Sequence, residues 1–313
     1  MNAEDAHPNI FNRSRKQLGT AGVWFTFSVV RRIYHIALSA PCNVRLWHLL
    51  CGRPLSSFSR KHPRLFYKHL DNYVAKTFSA RTRLHLLHGH YKYIKHALRP
   101  AFLKQLLTSP IKLWQDDHSH SIELAYPPNK ATEWEGELCL TFSSLGNPLY
   151  RLIFVIMASP VAGVGDTPCL VITSIQGKHD LQQIRQATLE CNDISPAHLL
   201  MAAIGGLATG LGGFQLLGVG DRLQLVSEAS RRFSYDTFFD HYGEPSSADG
   251  LYQISLPFIE RALTARSASH RKRSRKKRLV KQELSQQVAG RTALLLNQSL
   301  DGVVAPATRL MQS

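Results

Sequence analysis

Cys169-Leu170-Val171-Ile172-Thr173-Ser174-Ile175, running into Gln176-Gly177-Lys178-His179-Asp180, decides the fold of this chain. The first seven residues are apolar and rich in β-branched side chains, the pattern of a strand buried on both faces. Asp180 is a good helix cap, so a helix is predicted from there to about Cys191. Ser195-Pro196 opens a second helix, with a hydroxyl before a proline at the first helical position. Gly212-Gly213 stops it, and Phe214 to Val219 reads as another buried strand. The core is therefore a strand, two helices and a second strand.

Upstream of that crossover the period is two. Ser121 to Tyr126 alternates, and Gly136 to Phe142 alternates again. After a turn at Gly146-Asn147-Pro148, Leu149 to Ile156 continues as a third strand, a hairpin signal. Downstream, a helical stretch from Tyr235 to Tyr242 leads to a last strand at Leu251 to Leu256. A meander joined to a crossover makes the class α+β, with a mixed, mainly antiparallel sheet and crossover helices. Residues 20–115 are helical in pattern, punctuated by Pro63, Pro100 and Pro110, with Ser79 as an N-cap. The expected organisation is a basic helical region over 1–115, an α+β core over 116–260, and a basic helical or disordered tail over 261–313.

Charge follows the same divisions. The net charge is +16 and the pI is near 9.9. Residues 1–122 hold 19 Lys/Arg against 5 Asp/Glu, residues 123–261 hold 8 against 15, and residues 262–313 hold 11 against 2. Eight of the eleven residues from Arg271 to Lys281 are basic. An acidic centre between electropositive flanks suits an anionic partner, either nucleic acid or an anionic membrane surface.

Five widely spaced cysteines without a CxxC pair read as reduced thiols, which points to the cytoplasm. The acidic start Met1-Asn2-Ala3-Glu4-Asp5 does not resemble a secretory signal. Val23 to Ala40 is apolar but centred on Arg31 and Arg32. It fits a basic amphipathic helix, either packed on the domain or lying on the inner membrane, rather than a span. His198 to Gly220 is uncharged and contains Gly206-x-x-x-Gly210. It divides into a helix and a short strand, so no transmembrane span is expected.

Several of these residues carry a resemblance. Gly136 to Phe142 with Leu149-Tyr150-Arg151-Leu152, Ser174-Ile175-Gln176-Gly177, and Tyr235 to Gly243 followed by Asp249-Gly250-Leu251-Tyr252 are similar to the middle of the VirK/YbjX-like family. The likeness spans roughly residues 60–280, and Phe239 stands where that family leads us to expect tryptophan. It implies a bacterial protein contributing to virulence, envelope stress or antimicrobial-peptide resistance, and it carries over no catalytic residue. The order of elements also looks like the Gcn5-related acyltransferase core, whose cofactor pyrophosphate binds after its fourth strand.

That likeness singles out the strand-to-helix corner. Gln176, Gly177, Lys178 and Arg185 are candidate ligands of a coenzyme A derivative, since a helix N-terminus offers N–H groups and positive potential to phosphate. The same corner also reads as a plain structural turn. Arg231 and Arg232 are candidate anion ligands, as are Arg271, Lys272, Arg273, Lys276 and Lys277 of the basic run. His88-Gly89-His90 and His118-Ser119-His120 lack acidic or thiol partners at ligand spacing, so no metal is expected. GxSxG, Walker and HExxH motifs do not occur. Three functions follow: a virulence or envelope-stress factor, an acyl-CoA-dependent transferase, and a non-catalytic binder of nucleic acid or anionic membrane.

Overall fold

The structure, a computed structural model, describes residues 40–129, 132–162, 164–178, 180–226, 233–246, 250–259 and 268–296. The amphipathic stretch expected over Val23 to Ala40 lies outside them except for its last residue. Four helices come first: α1 (Ala40–Cys51), α2 (Ser56–Lys61), α3 (Ala80–Ala97) and α4 (Pro100–Leu106). Ser79 caps α3, its hydroxyl accepting the Thr82 N–H at 3.0 Å. Leu84, Leu87, Tyr91 and Ile94 form the buried stripe of α3, at the spacing that puts them on one face.

The strands follow as β1 (Ile111–Gln115), β2 (His120–Ala125), β3 (Leu138–Ser144), β4 (Asn147–Met157) and β5 (Cys169–Gly177). Next come α5 (Leu181–Glu190), α6 (Pro196–Gly210), β6 (Gln215–Val219), α7 (Tyr235–Phe239), β7 (Gly243–Pro245), β8 (Leu251–Ile254) and α8 (Ala268–Ala293). All eight strands form one sheet in the order β1-β2-β3-β4-β5-β6-β8-β7. The α+β class holds. β1 to β5 are an antiparallel meander, β5 and β6 are parallel, and β6 to β7 return to antiparallel pairing.

Some boundaries differ from those expected. The region to residue 115 ends in a strand, because Ile111 and Leu113 face the core while Lys112 and Gln115 face out. The hairpin turns at Leu145 and Gly146, both at positive φ, and Pro148 already pairs with Ser143 at a bulge. Asp180 caps α5, accepting the Gln183 N–H at 3.0 Å. Ser195 precedes Pro196 as expected, but its hydroxyl makes no cap hydrogen bond.

The uncharged run divides as read. α6 stops before Gly212 and Gly213, at φ +109° and +84°, and β6 begins two residues later. Among the described residues no helix is long and apolar enough to cross a membrane. The basic run lies on α8, which packs along α6 and buries Leu284 and Val288. The two glycines that imitate a membrane motif make this contact. A Cβ on Gly206 would overlap the Ser285 carbonyl, and one on Gly210 would come within 2.6 Å of the Ala289 oxygen.

Candidate functional site

The one parallel pair in the sheet comes apart. β5 and β6 are in register from Cys169↔Gln215 to Ile172↔Gly218, and no further. β5 continues to Gly177 with a strand partner only on its β4 side. Buried backbone groups must still find partners, and two side chains supply them. Gln224 Nε2 donates to the Thr173 carbonyl at 2.9 Å and to the Val219 carbonyl at 2.6 Å, spanning the gap. The Tyr235 hydroxyl sits 3.2 Å from the Ile175 nitrogen, 3.3 Å from its carbonyl oxygen and 3.2 Å from the Ser174 hydroxyl. Tyr235 is placed by Asp221, whose carboxylate accepts its N–H at 3.0 Å, and by Ser234, which caps α7. In open sheets, ligand crevices form outside the carboxyl ends of strands where the connection changes direction.

Glu135 stands at this opening. The Gln176 amide nitrogen lies 2.9 and 3.0 Å from its two carboxylate oxygens and 2.8 Å from the Ser174 hydroxyl. Burial pushes the Glu135 carboxyl up to about 7, against the opposing pull of the Ser174 and Gln176 hydrogen bonds. A carboxyl titrating near neutrality can take and return a proton at physiological pH. Glu135 has no motif around it in sequence, because its surroundings are assembled from β5 and from the segment before β3.

The predicted corner is open to solvent. Gly177 and Lys178 are exposed, the Lys178 N–H donates to the Leu149 carbonyl at 2.9 Å, and Arg185 lies exposed on α5. A Cβ on Gly177 would fall 2.6 Å from the Tyr150 ring, so close packing also explains the glycine. Asp180 takes one N–H of the α5 N-terminus and adds a negative charge there, so any attraction for phosphate must come from Lys178 and Arg185. Gln176 points instead to Glu135.

Arg231 and Arg232 lie outside the described residues. On α8, Lys272, Arg273 and Lys276 are exposed while Arg271 and Lys277 are half-buried. Lys277 donates to the Asp193 carbonyl at 2.8 Å, so α8 meets the loop between α5 and α6. A groove of about 930 Å³ runs between α6, α8 and residues 253–258. His198, Tyr242, Phe258, Arg278 and Lys281 line it, with no Asp or Glu among its described lining residues. His90 is buried, and its Nδ1 accepts the Ile156 N–H at 3.2 Å, while His118 is exposed.

A family model described as "Protein of unknown function (DUF535)" matches residues 31–290. No curated protein and no solved structure matches the chain.

Proposed function

From the premise that the chain belongs to the DUF535 family, we propose that it is an acyl-CoA-dependent transferase with Glu135 as its proton acceptor. The observation that carries this reading is the position of Glu135, a buried carboxyl titrating near neutrality where the parallel strands diverge. The sheet order supports it, since a meander followed by one parallel crossover is the order expected of a Gcn5-like core.

In this reading the cofactor phosphates meet Lys178 and Arg185, and the acyl thioester lies in the opening held by Tyr235 and Gln224. Glu135 takes a proton from the acceptor amine or hydroxyl as that atom attacks the thioester carbonyl. The C–S bond then breaks, and Glu135 returns that proton to the departing thiolate. The resemblance to VirK/YbjX-like proteins supports a role for this activity in bacterial virulence or envelope stress, at the cytoplasmic side of the inner membrane.

Thermal shift tests the reading. Coenzyme A and acetyl-CoA should raise the melting temperature of the wild type. The rise should vanish in Lys178→Glu/Arg185→Glu, whose side chains are exposed. No rise in the wild type, or an equal rise in the variant, rejects it.

The exposed face of α8 favours a second reading, attachment to an anionic surface, since Lys272, Arg273, Arg275 and Lys276 all face solvent there. Binding to anionic vesicles that weakens with salt and is lost on neutralising these four residues supports it. Retention on RNA but not on vesicles points to nucleic acid instead.

A further inference from the structure

Asp116 and His120 flank the turn between β1 and β2, and Cys191 follows the last residue of α5. The three converge. Asp116 Oδ1 accepts the N–H groups of His118 and His120 at 3.0 and 2.8 Å, which fixes the carboxylate. Its other oxygen, Oδ2, lies 2.7 Å from His120 Nδ1, and Cys191 Sγ lies 3.6 Å from the same nitrogen. The His120 ring is wholly buried and stacks on Phe142, with centroids 5.6 Å apart. On its far side, Nε2 is 3.0 Å from Glu190 Oε2.

These contacts bring a carboxylate oxygen and a sulfur to the Nδ1 side of the ring, with Glu190 on the opposite side at Nε2. A nitrogen, an oxygen and a sulfur thus face one another, and these are three atom types that ligate metal ions.

We propose that Asp116, His120 and Cys191 bind a zinc ion. Mixed sulfur, nitrogen and oxygen ligands select zinc over magnesium or calcium, which take oxygen alone. Tetrahedral zinc with Zn–N of about 2.0 Å and Zn–S of about 2.3 Å separates the two ligand atoms by about 3.5 Å, close to the 3.6 Å between Cys191 Sγ and His120 Nδ1. All three donor atoms lie within 4.8 Å of one another. The Asp116 oxygen sits closer to Nδ1 than a shared metal allows. Zinc entry moves Oδ2 away from Nδ1 while Oδ1 keeps its two N–H donors, and the 21% exposure of the Asp116 side chain lets water reach the fourth position. Glu190 is the outer carboxylate that orients a ligating histidine. Coordination replaces the thiol proton of Cys191, which leaves to solvent. The bound ion ties the β1–β2 turn to the end of α5.

Cobalt substitution of the full chain tests this in a Cys42→Ser/Cys51→Ser background. That background is needed because Cys42 Sγ lies 3.7 Å from His85 Nε2 and offers a competing thiol. The expected result is a thiolate-to-cobalt charge-transfer band that disappears in Cys191→Ser, a near-isosteric change whose fold is checked by circular dichroism. Zinc affinity should fall about 10- to 100-fold in Glu190→Gln. A parent protein without the band, or a band that persists in Cys191→Ser, overturns the site. His120→Gln risks the buried ring's packing, so Cys191→Ser carries the decision.

Discussion

The Tyr235 hydroxyl lies 3.2 Å from the Ile175 nitrogen and 3.3 Å from the Ile175 carbonyl oxygen, so one side chain serves both backbone groups that a neighbouring strand would have served. With Gln224 one residue pair closer to the point of divergence, it holds open a gap that β6 does not fill. Tyr235→Phe leaves these buried groups unpaired, at a cost of about 1–3 kcal/mol. Urea unfolding should show that loss. If an acyl thioester enters this gap by displacing the hydroxyl, acetyl-CoA should stabilise Tyr235→Phe at least as much as the wild type. A smaller ligand shift in the variant means that Tyr235 is a ligand contact rather than a placeholder.

Glu135 sets a pH dependence of definite sign. Burial raises its carboxyl from the ordinary carboxylate value of 4.5 to about 7. A base must be ionised, so kcat/KM for acyl transfer should rise as pH passes upward through about 7. Stability runs the other way. The folded state holds this proton more tightly than the unfolded chain, so its contribution is fully present below about 4.5 and is lost as pH rises through about 7. In Glu135→Gln the rise in rate should disappear while the unfolding midpoint gains at alkaline pH. A rate profile unchanged by Glu135→Gln excludes the base assignment.

Strand β5 and its two following helices were legible because local chemistry agreed with tertiary need at Ile172, Asp180 and Ser195-Pro196. β1 was not, since only Ile111 and Leu113 of its five residues face inward, too short an alternation to separate from the helices before it. β7 is three residues ending in a proline, and has no periodicity to detect. The Gln176–Lys178 corner was found, but not the turn of Gln176 toward Glu135, because the burial that raises the Glu135 carboxyl is created by distant segments. His120 was visible as half of a His-x-His pair. Its partners are not: Asp116 lies four residues before it, and Glu190 and Cys191 reach it only across the end of the sheet.

Lys68 and Glu137 form an ion pair fully inside the protein. Tyr91 donates its hydroxyl to Glu137 at 2.5 Å, and Lys68 also donates to the Glu133 carbonyl at 3.1 Å and lies over the Tyr73 ring. Burial pulls the Lys68 ammonium below the usual lysine range, and Glu137 opposes that pull. Removing one partner strands the other charge. Lys68→Met should therefore cost about 3–5 kcal/mol, and Lys68→Met/Glu137→Gln should recover part of it. Urea midpoints of the two variants measure this. A double variant no more stable than the single shows that the charge of Glu137 is not the source of the penalty.

Gly206 lets α8 pack directly on α6. With no Cβ there, the Ser285 carbonyl of α8 packs directly on α6, and Leu284 and Val288 go under cover. Burying such side chains contributes about 1.5–3 kcal/mol each. Gly206→Leu drives a side chain into the Ser285 backbone, which cannot yield without moving the helix. The expected outcome is a lower melting temperature and faster tryptic cleavage between Arg271 and Lys281, with β5 and α6 retained. The groove between α6 and α8 opens with the same change, because Arg278 and Lys281 reach it only from α8. Unaltered cleavage in Gly206→Leu means that α8 is held by contacts other than this close approach.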